Sequence, residues 1–179
     1  MARNFMCTKT DPVVETKAGK LRGFQLDGTY VFHGVKYADA KRFHQPTPVE
    51  PWEGIKNALA YGYVCPMLQQ DQPSNELMVP HRYWPLDENC QYLNIWTQHL
   101  DPNAKKPVLV WLHGGGFAAG SSIEHIAYEG ENMSKYGDVV VISLNHRLNI
   151  LGYLDLSPFG EEYKNSGCLL YTSDAADDK

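Results

Sequence analysis

Pro107-Val108-Leu109-Val110-Trp111-Leu112-His113-Gly114-Gly115-Gly116-Phe117 decides how the chain is read. Its apolar run, bounded by Pro107 and three glycines, predicts a parallel strand buried on both faces, because such strands show no polar alternation. Beyond the strand the backbone becomes bare. Glycine has no Cβ, so N–H groups there can meet a ligand closely and take dihedrals that other residues avoid. Two such amides aimed at a developing oxyanion are worth roughly 3 kcal/mol each in acyl transfer. A plain turn is the other reading of a glycine run. The stretch lacks the Gly-Lys-Ser/Thr ending of a P-loop and the G-x-G-x-x-G spacing of a dinucleotide site.

Outward from this stretch, Asp138-Val139-Val140-Val141-Ile142-Ser143-Leu144 is nearly all β-branched or aliphatic and predicts a second buried strand. Residues 121–136 between the two have the polarity and spacing of a short helix, closed by Gly137. Strand, helix and strand in that order imply a right-handed crossover and parallel pairing. Upstream, Tyr92-Leu93-Asn94-Ile95-Trp96-Thr97 alternates and predicts a strand, followed by a turn at Asp101-Pro102-Asn103. The chain opens with β-prone runs at 13–16, 20–25 and 30–35, separated by Ala18-Gly19 and Asp27-Gly28, which predicts an antiparallel meander. Pro46, Pro48 and Pro51 make residues 37–51 an extended arm. Residues 52–63 have room for a turn of helix. Residues 65–85, rich in Gln, Pro and Asn, read as a long surface loop, functional or tied down.

A chain of 179 residues with 43% hydrophobic and 12% aromatic content suits one globular domain. A net charge of −5 without a Lys/Arg cluster argues against nucleic acid or an anionic membrane as partner. No apolar run approaches about 18 residues, so no membrane span is expected. Residues 1–11 carry only Phe5 and Met6 as large apolar groups, unlike a signal peptide. The expectation is a cytoplasmic protein, or a secreted one if the start is incomplete. Cys7, Cys65, Cys90 and Cys168 form no C-x-x-C pair and no zinc spacing with the histidines, so neither a metal nor a cofactor is expected. Cys65 and Cys90 flank the long loop and offer a tie across it, although free thiols are the expectation in the cytoplasm. Asn132-Met133-Ser134 is a glycosylation sequon that matters only on secretion.

Four segments, in order, resemble the N-terminal third of the type-B carboxylesterases, the branch of the α/β-hydrolase fold that includes the cholinesterases. They are Arg42-Phe43 ahead of Pro51-Trp52-Glu53-Gly54, the block Glu88-Asn89-Cys90-Gln91-Tyr92-Leu93-Asn94-Ile95-Trp96, the stretch from Trp111 through Phe117, and Asn145-His146-Arg147-Leu148 with Gly152-Tyr153-Leu154. Strand then His-Gly-Gly-Gly is the oxyanion motif of lipases and esterases. The resemblance implies an α/β fold in which antiparallel N-terminal hairpins lead into a mostly parallel central sheet. It makes the N–H groups of Gly115 and Gly116 oxyanion donors, with His113, Gly114 and Phe117 shaping the loop and the acyl side of the cleft. It pairs Arg42 with Glu88 in a buried ion pair, joins Cys65 to Cys90 as a disulfide, and gives Arg147 a bracing role after the strand. Asn89 and Gln91 depart from the family's usual Asp and aliphatic residue. Trp84 is out of register with the choline-binding tryptophan, so choline esters are not implied.

The family's serine sits in a G-x-S-x-G elbow on the next strand, and no serine here stands between the required glycines. The acid and histidine follow later, so His125 and His146 read as structural or surface residues. The run from Cys168 to the end looks like the in-frame translation of a transposase-type sequencing adapter and is set aside from fold reasoning. The expected division is an extension over 1–12, the N-terminal part of a carboxylesterase domain over 13–167, and non-native sequence over 168–179. The expectation is then a fragment of a serine ester hydrolase, whose intact parent acts on small-molecule esters and which is inactive alone. Without the nucleophile strand, residues 108–112 become a sheet edge and the chain aggregates or stays partly unfolded. A cholinesterase-like binding or adhesion protein is the alternative. Hormone-sensitive-lipase-type esterases share the glycines but not the 92–96 block. Acyl and alcohol preference and oligomeric state are unreadable at this stage.

Overall fold

The computed structural model describes residues 3–67 and 82–167. In chain order the strands are β1 (Phe5–Met6), β2 (Val13–Glu15), β3 (Lys20–Arg22), β4 (Phe24–Leu26), β5 (Thr29–Lys36), β6 (Ala38–Asp39), β7 (Thr47–Pro48), β8 (Ile55–Asn57), β9 (Tyr92–Thr97), β10 (Val108–Leu112) and β11 (Val140–Leu144). Two short α-helices, α1 (Glu131–Gly137) and α2 (Asn149–Tyr153), flank the last strand. The main sheet has the order β1-β4-β5-β9-β11-β10, with β2-β3-β8 and β6-β7 as smaller sheets. The expected 20–25 run is cut at Gly23: β3 joins the small sheet, whereas β4 turns through Asp27-Gly28 into β5. Ahead of residue 13, β1 pairs antiparallel with β4.

All strand neighbours in the main sheet are antiparallel except β10 and β11, which pair parallel from Val108↔Val140 to Leu112↔Leu144. The core lies on both faces around β5 and β9. Phe24, Val31, Trp96 and Val141 fill one side, and Leu21, Phe32 and Ala58 the other. β5 changes register between Phe32 and Val35, where Gly34 has φ +64° and donates its N–H to Asn94 Oδ1 at 3.0 Å. A Cβ there would lie 2.3 Å from the Ala60 carbonyl, so the bulge depends on glycine.

Three expectations are corrected. Residues 52–63 hold no helix: β8 pairs parallel with β3, and His33 bridges to Leu59, so tertiary pairing overrides a weak local preference. The helix expected over 121–136 is confined to α1, because Ser121, Ser122 and Ile123 are buried in loop contacts and Ile126–Tyr128 forms a 3-10 turn. β10 is not buried on both faces. It pairs with β11 alone, and Val108, Val110, Trp111 and Leu112 are all exposed, as the edge reading anticipated. The arm over 37–51 carries only the minimal β6–β7 pair. Cys168 and the segment 168–179 lie outside the described residues, as does most of the 65–85 loop. No helix among the described residues is long and apolar enough to cross a membrane.

Candidate active site

β10 delivers His113 and the glycines to the carboxyl end of the parallel pair, where His113 is nearly buried and Gly114 to Ala118 are exposed. A trans peptide is planar, so its C=O and the following N–H point to opposite sides. Anchoring a carbonyl therefore aims the next amide. His113 Nδ1 donates to Gly114 O at 2.8 Å, which turns the Gly115 N–H the other way. Gly115 O accepts from Ala118 N–H and Ala119 N–H, both at 3.1 Å, and this aims the Gly116 N–H in turn. Among the described residues, neither the Gly115 nor the Gly116 N–H meets a protein acceptor.

The backbone that achieves this is restricted to few residues. Gly115 and Gly116 have φ of +125° and +61°, and Phe117 follows at +64°. Asn149 N–H holds Phe117 O at 2.8 Å, while the exposed Phe117 ring stands edge-on to Tyr153 at 5.2 Å. At the far end of the loop, Gly120 N–H bonds Met67 Sδ at 3.0 Å. The loop is thus pinned from several elements while two amides stay open.

Behind it lies a polar network that sequence reading missed. Asn145 Oδ1 accepts Ser122 N–H at 2.8 Å, its Nδ2 donates to Tyr63 O at 3.1 Å, and its carbonyl accepts Tyr37 OH at 2.9 Å. Asn94 Nδ2 reaches Ser122 Oγ and Ser143 Oγ, both at 3.4 Å. Ser166 Oγ is taken up by Leu156 N–H and Leu154 O. These buried serines are engaged in structure. His146, read as structural or surface, stacks its ring on that of His113 at 4.9 Å and 23°. The strand pairing was the signal that could have found it: one residue past Leu112↔Leu144 stand His113 and Asn145, and His146 comes next.

The remaining expected residues lie away from the glycines. Arg42 and Glu88 do pair, through Nε to Oε2 at 2.7 Å and a second Nη2–Oε1 contact, but the Arg42 side chain is 64% exposed and Glu88 29%. The burial expected for this pair is corrected: it is solvated, and an exposed ion pair contributes little to stability. Cys65 and Cys90 are buried free thiols, not a disulfide. Cys65 Sγ accepts Leu148 N–H at 3.1 Å and a hydrogen bond from the Cys90 thiol, which holds the Cys65 pKa below the usual thiol value. Arg147 is buried and donates from Nη1 to Lys41 O at 3.3 Å and His44 O at 2.9 Å, tying the arm to the segment after β11. Among the described residues no group of three His, Cys, Asp or Glu side chains is placed to hold a metal.

Burial pushes the His33 and His146 imidazoles down to about 4, and lowers His113 as well. His33 is stacked on Tyr61 at 4.1 Å and edge-on to Phe24 and Trp96. The folded state refuses protons that the unfolded chain accepts near pH 6.5. The stability from these groups is therefore fully present above about pH 6.5 and lost as pH falls toward about 4. The unfolding free energy, and with it the urea midpoint, is expected to fall between pH 7 and pH 4.5, by on the order of 2 kcal/mol for each of His33 and His146, and His33→Phe should remove its share of the slope. Equal midpoints at both pH values would contradict neutral burial.

A carboxylesterase family model matches residues 10–169. The chain is 37% identical over 166 residues to the para-nitrobenzyl esterase of Bacillus subtilis, covering 90% of this chain and 32% of that protein. It is 41% identical over 150 residues to the phenmedipham hydrolase of Pseudarthrobacter oxydans, covering 81% of this chain and 30% of that protein. Among solved structures, an esterase from Clostridium hathewayi reported to hydrolyse aliphatic aromatic polyesters aligns at TM-score 0.92 and 62% identity, over 98% of this chain and 35% of its own. The carboxylesterase EST55 of Geobacillus stearothermophilus aligns at TM-score 0.76 and 36% identity, over 92% of this chain and 32% of its own. The chain spans about a third of the length of the curated relatives it matches. On this combined similarity, the chain belongs to the carboxylesterase family and its sheet is part of the α/β-hydrolase fold.

Proposed function

We propose that the protein is a serine carboxylic ester hydrolase in which the Gly115 and Gly116 N–H groups supply two of the oxyanion donors. The observation that carries this reading is the pair of open amides, each aimed by an anchored carbonyl. A serine hydroxyl attacks the ester carbonyl carbon, a histidine takes its proton, and the carbonyl oxygen becomes the oxyanion that the amides receive. Collapse releases the alcohol and leaves an acyl-enzyme, which water then hydrolyses to the carboxylic acid and free serine. His113, Gly114 and Phe117 shape the acyl side of this cleft. The serine, its histidine and the orienting carboxylate belong to sequence beyond the 179 residues. Residues 13–167 are the N-terminal part of the hydrolase domain, and 168–179 are foreign adapter translation. The substrate is a small-molecule ester. Since the Clostridium hathewayi esterase acts on aliphatic aromatic polyesters, esters joining aromatic and aliphatic units are the first substrates to test.

The complete gene product should cleave p-nitrophenyl butyrate and lose that activity to a serine-directed organophosphate. The 179-residue chain should be inactive, because absence of the nucleophile costs about a million-fold in turnover. Organophosphate-sensitive cleavage by the purified 179-residue chain, or none by the complete product, would overturn the reading.

A further inference from the structure

The ring of His113 sets the aim of one oxyanion amide, yet nothing in its own hydrogen bond fixes the ring plane. Rotation about the bond to an imidazole is broad and soft, so orientation has to come from packing. Gly120 closes one side, where a Cβ would lie 3.0 Å from His113 Nδ1. One face is covered by His146, whose ring lies nearly parallel at 4.9 Å. We propose that His146 is a positioning residue of the oxyanion loop, clamping the His113 ring so that Nδ1–H stays on Gly114 O and the Gly115 N–H stays turned to the cleft. The proposal rests on the ester-hydrolase reading above.

Three observations support it. The backbone on both sides of His146 is braced: Asn145 bonds Ser122 and Tyr63, Arg147 bonds Lys41 and His44, and Leu148 N–H bonds Cys65 Sγ. The ring is therefore presented from a fixed mount. Its Nδ1 is buried and has no hydrogen-bond partner among the described residues, so what that side of the ring contributes is a flat surface and not a polar contact. Burial also keeps both rings neutral, with repulsion from His113 adding to it at His146. Gly114 O requires a proton on Nδ1, because a carbonyl only accepts, and in the neutral ring this selects the Nδ1–H tautomer.

The test uses the complete gene product with His146→Ala and His146→Phe. His146→Ala should lower kcat roughly ten-fold or more while KM stays within about two-fold, because only the aim of a transition-state donor is lost. Affinity for a trifluoromethyl ketone, which forms an oxyanion adduct, should fall in parallel. His146→Phe keeps a flat ring and should restore most of both losses. A second readout is independent of turnover. In protein labelled with ¹⁵N-histidine, His113 should show a fixed Nδ1–H tautomer that becomes a mixture in His146→Ala and returns in His146→Phe. An unchanged His113 tautomer in His146→Ala overturns the proposal whether or not the protein hydrolyses esters. So does equal damage from Ala and Phe. An inactive wild-type product with the tautomer behaving as described counts against ester hydrolysis alone.

Discussion

On the proposed ester hydrolysis, Gly115→Ala in the complete gene product is expected to lower turnover about a hundred- to a thousand-fold, whereas Gly114→Ala should cost no more than about ten-fold. A Cβ on Gly115 would sit 1.9 Å from the Ala119 carbonyl oxygen and 2.6 Å from its carbon, at a φ of +125° that side chains rarely adopt. The turn must open to relieve this contact. Opening it releases the two N–H bonds into Gly115 O that aim the Gly116 amide, so one methyl group disturbs both open amides. A Cβ on Gly114 meets nothing within 4 Å, and its φ does not lie in the left-handed region. Gly116→Pro should be at least as damaging as Gly115→Ala, because it deletes a donor and imposes φ near −65° where the loop has +61°. The measurement is kcat and KM on a p-nitrophenyl ester, with circular dichroism to confirm folding. Turnover of a folded Gly115→Ala protein within ten-fold of the unaltered enzyme would remove the oxyanion assignment.

What the sequence disclosed and what it hid divide along a physical line. β9 and β11 were legible because their composition suits one backbone state in any context: alternation in one, β-branched density in the other. The bareness of the glycine loop was legible because three consecutive glycines stand in the sequence itself. The failures come from partners that are distant in sequence. β8 is three exposed residues with no pattern of their own, held only by pairing with β3. Residues 121–136 carry helical spacing, yet Ser121 and Ser122 are buried beneath the glycine loop and the Ser122 N–H is committed to Asn145, so helix starts only at Glu131. His146 carried no local signal of its contact, since its stacking on His113 arises only when β10 and β11 lie side by side. The burial expected of Arg42 and Glu88 failed for the converse reason: a pairing can hold in sequence order while its depth depends on what covers it.

The exposed strand β10 sets the second large expectation, that the 179-residue chain self-associates at micromolar concentration and that Val110→Lys shifts it strongly toward monomer. Val108, Val110 and Leu112 are 58%, 52% and 57% exposed on one face, and Trp111 is 42% exposed on the other. No charged residue and no proline interrupts the strand, so it lacks the devices by which edge strands resist pairing. The opposite edge of the sheet, β1, is only two residues long and offers a much poorer template. A lysine at Val110 puts charge in the middle of the apolar row, and an added strand could cover it only by desolvating it. Ile55→Lys, on the short strand β8, changes charge equally at another exposed apolar position and should leave association unchanged. Sedimentation velocity of the three proteins decides the matter: a monomeric parent chain, or equal behaviour of the two lysine variants, would show that β10 is not the sticky edge. β10 ends just before His113, so whatever pairs along it covers the apolar row and brings its own end beside the two open amides.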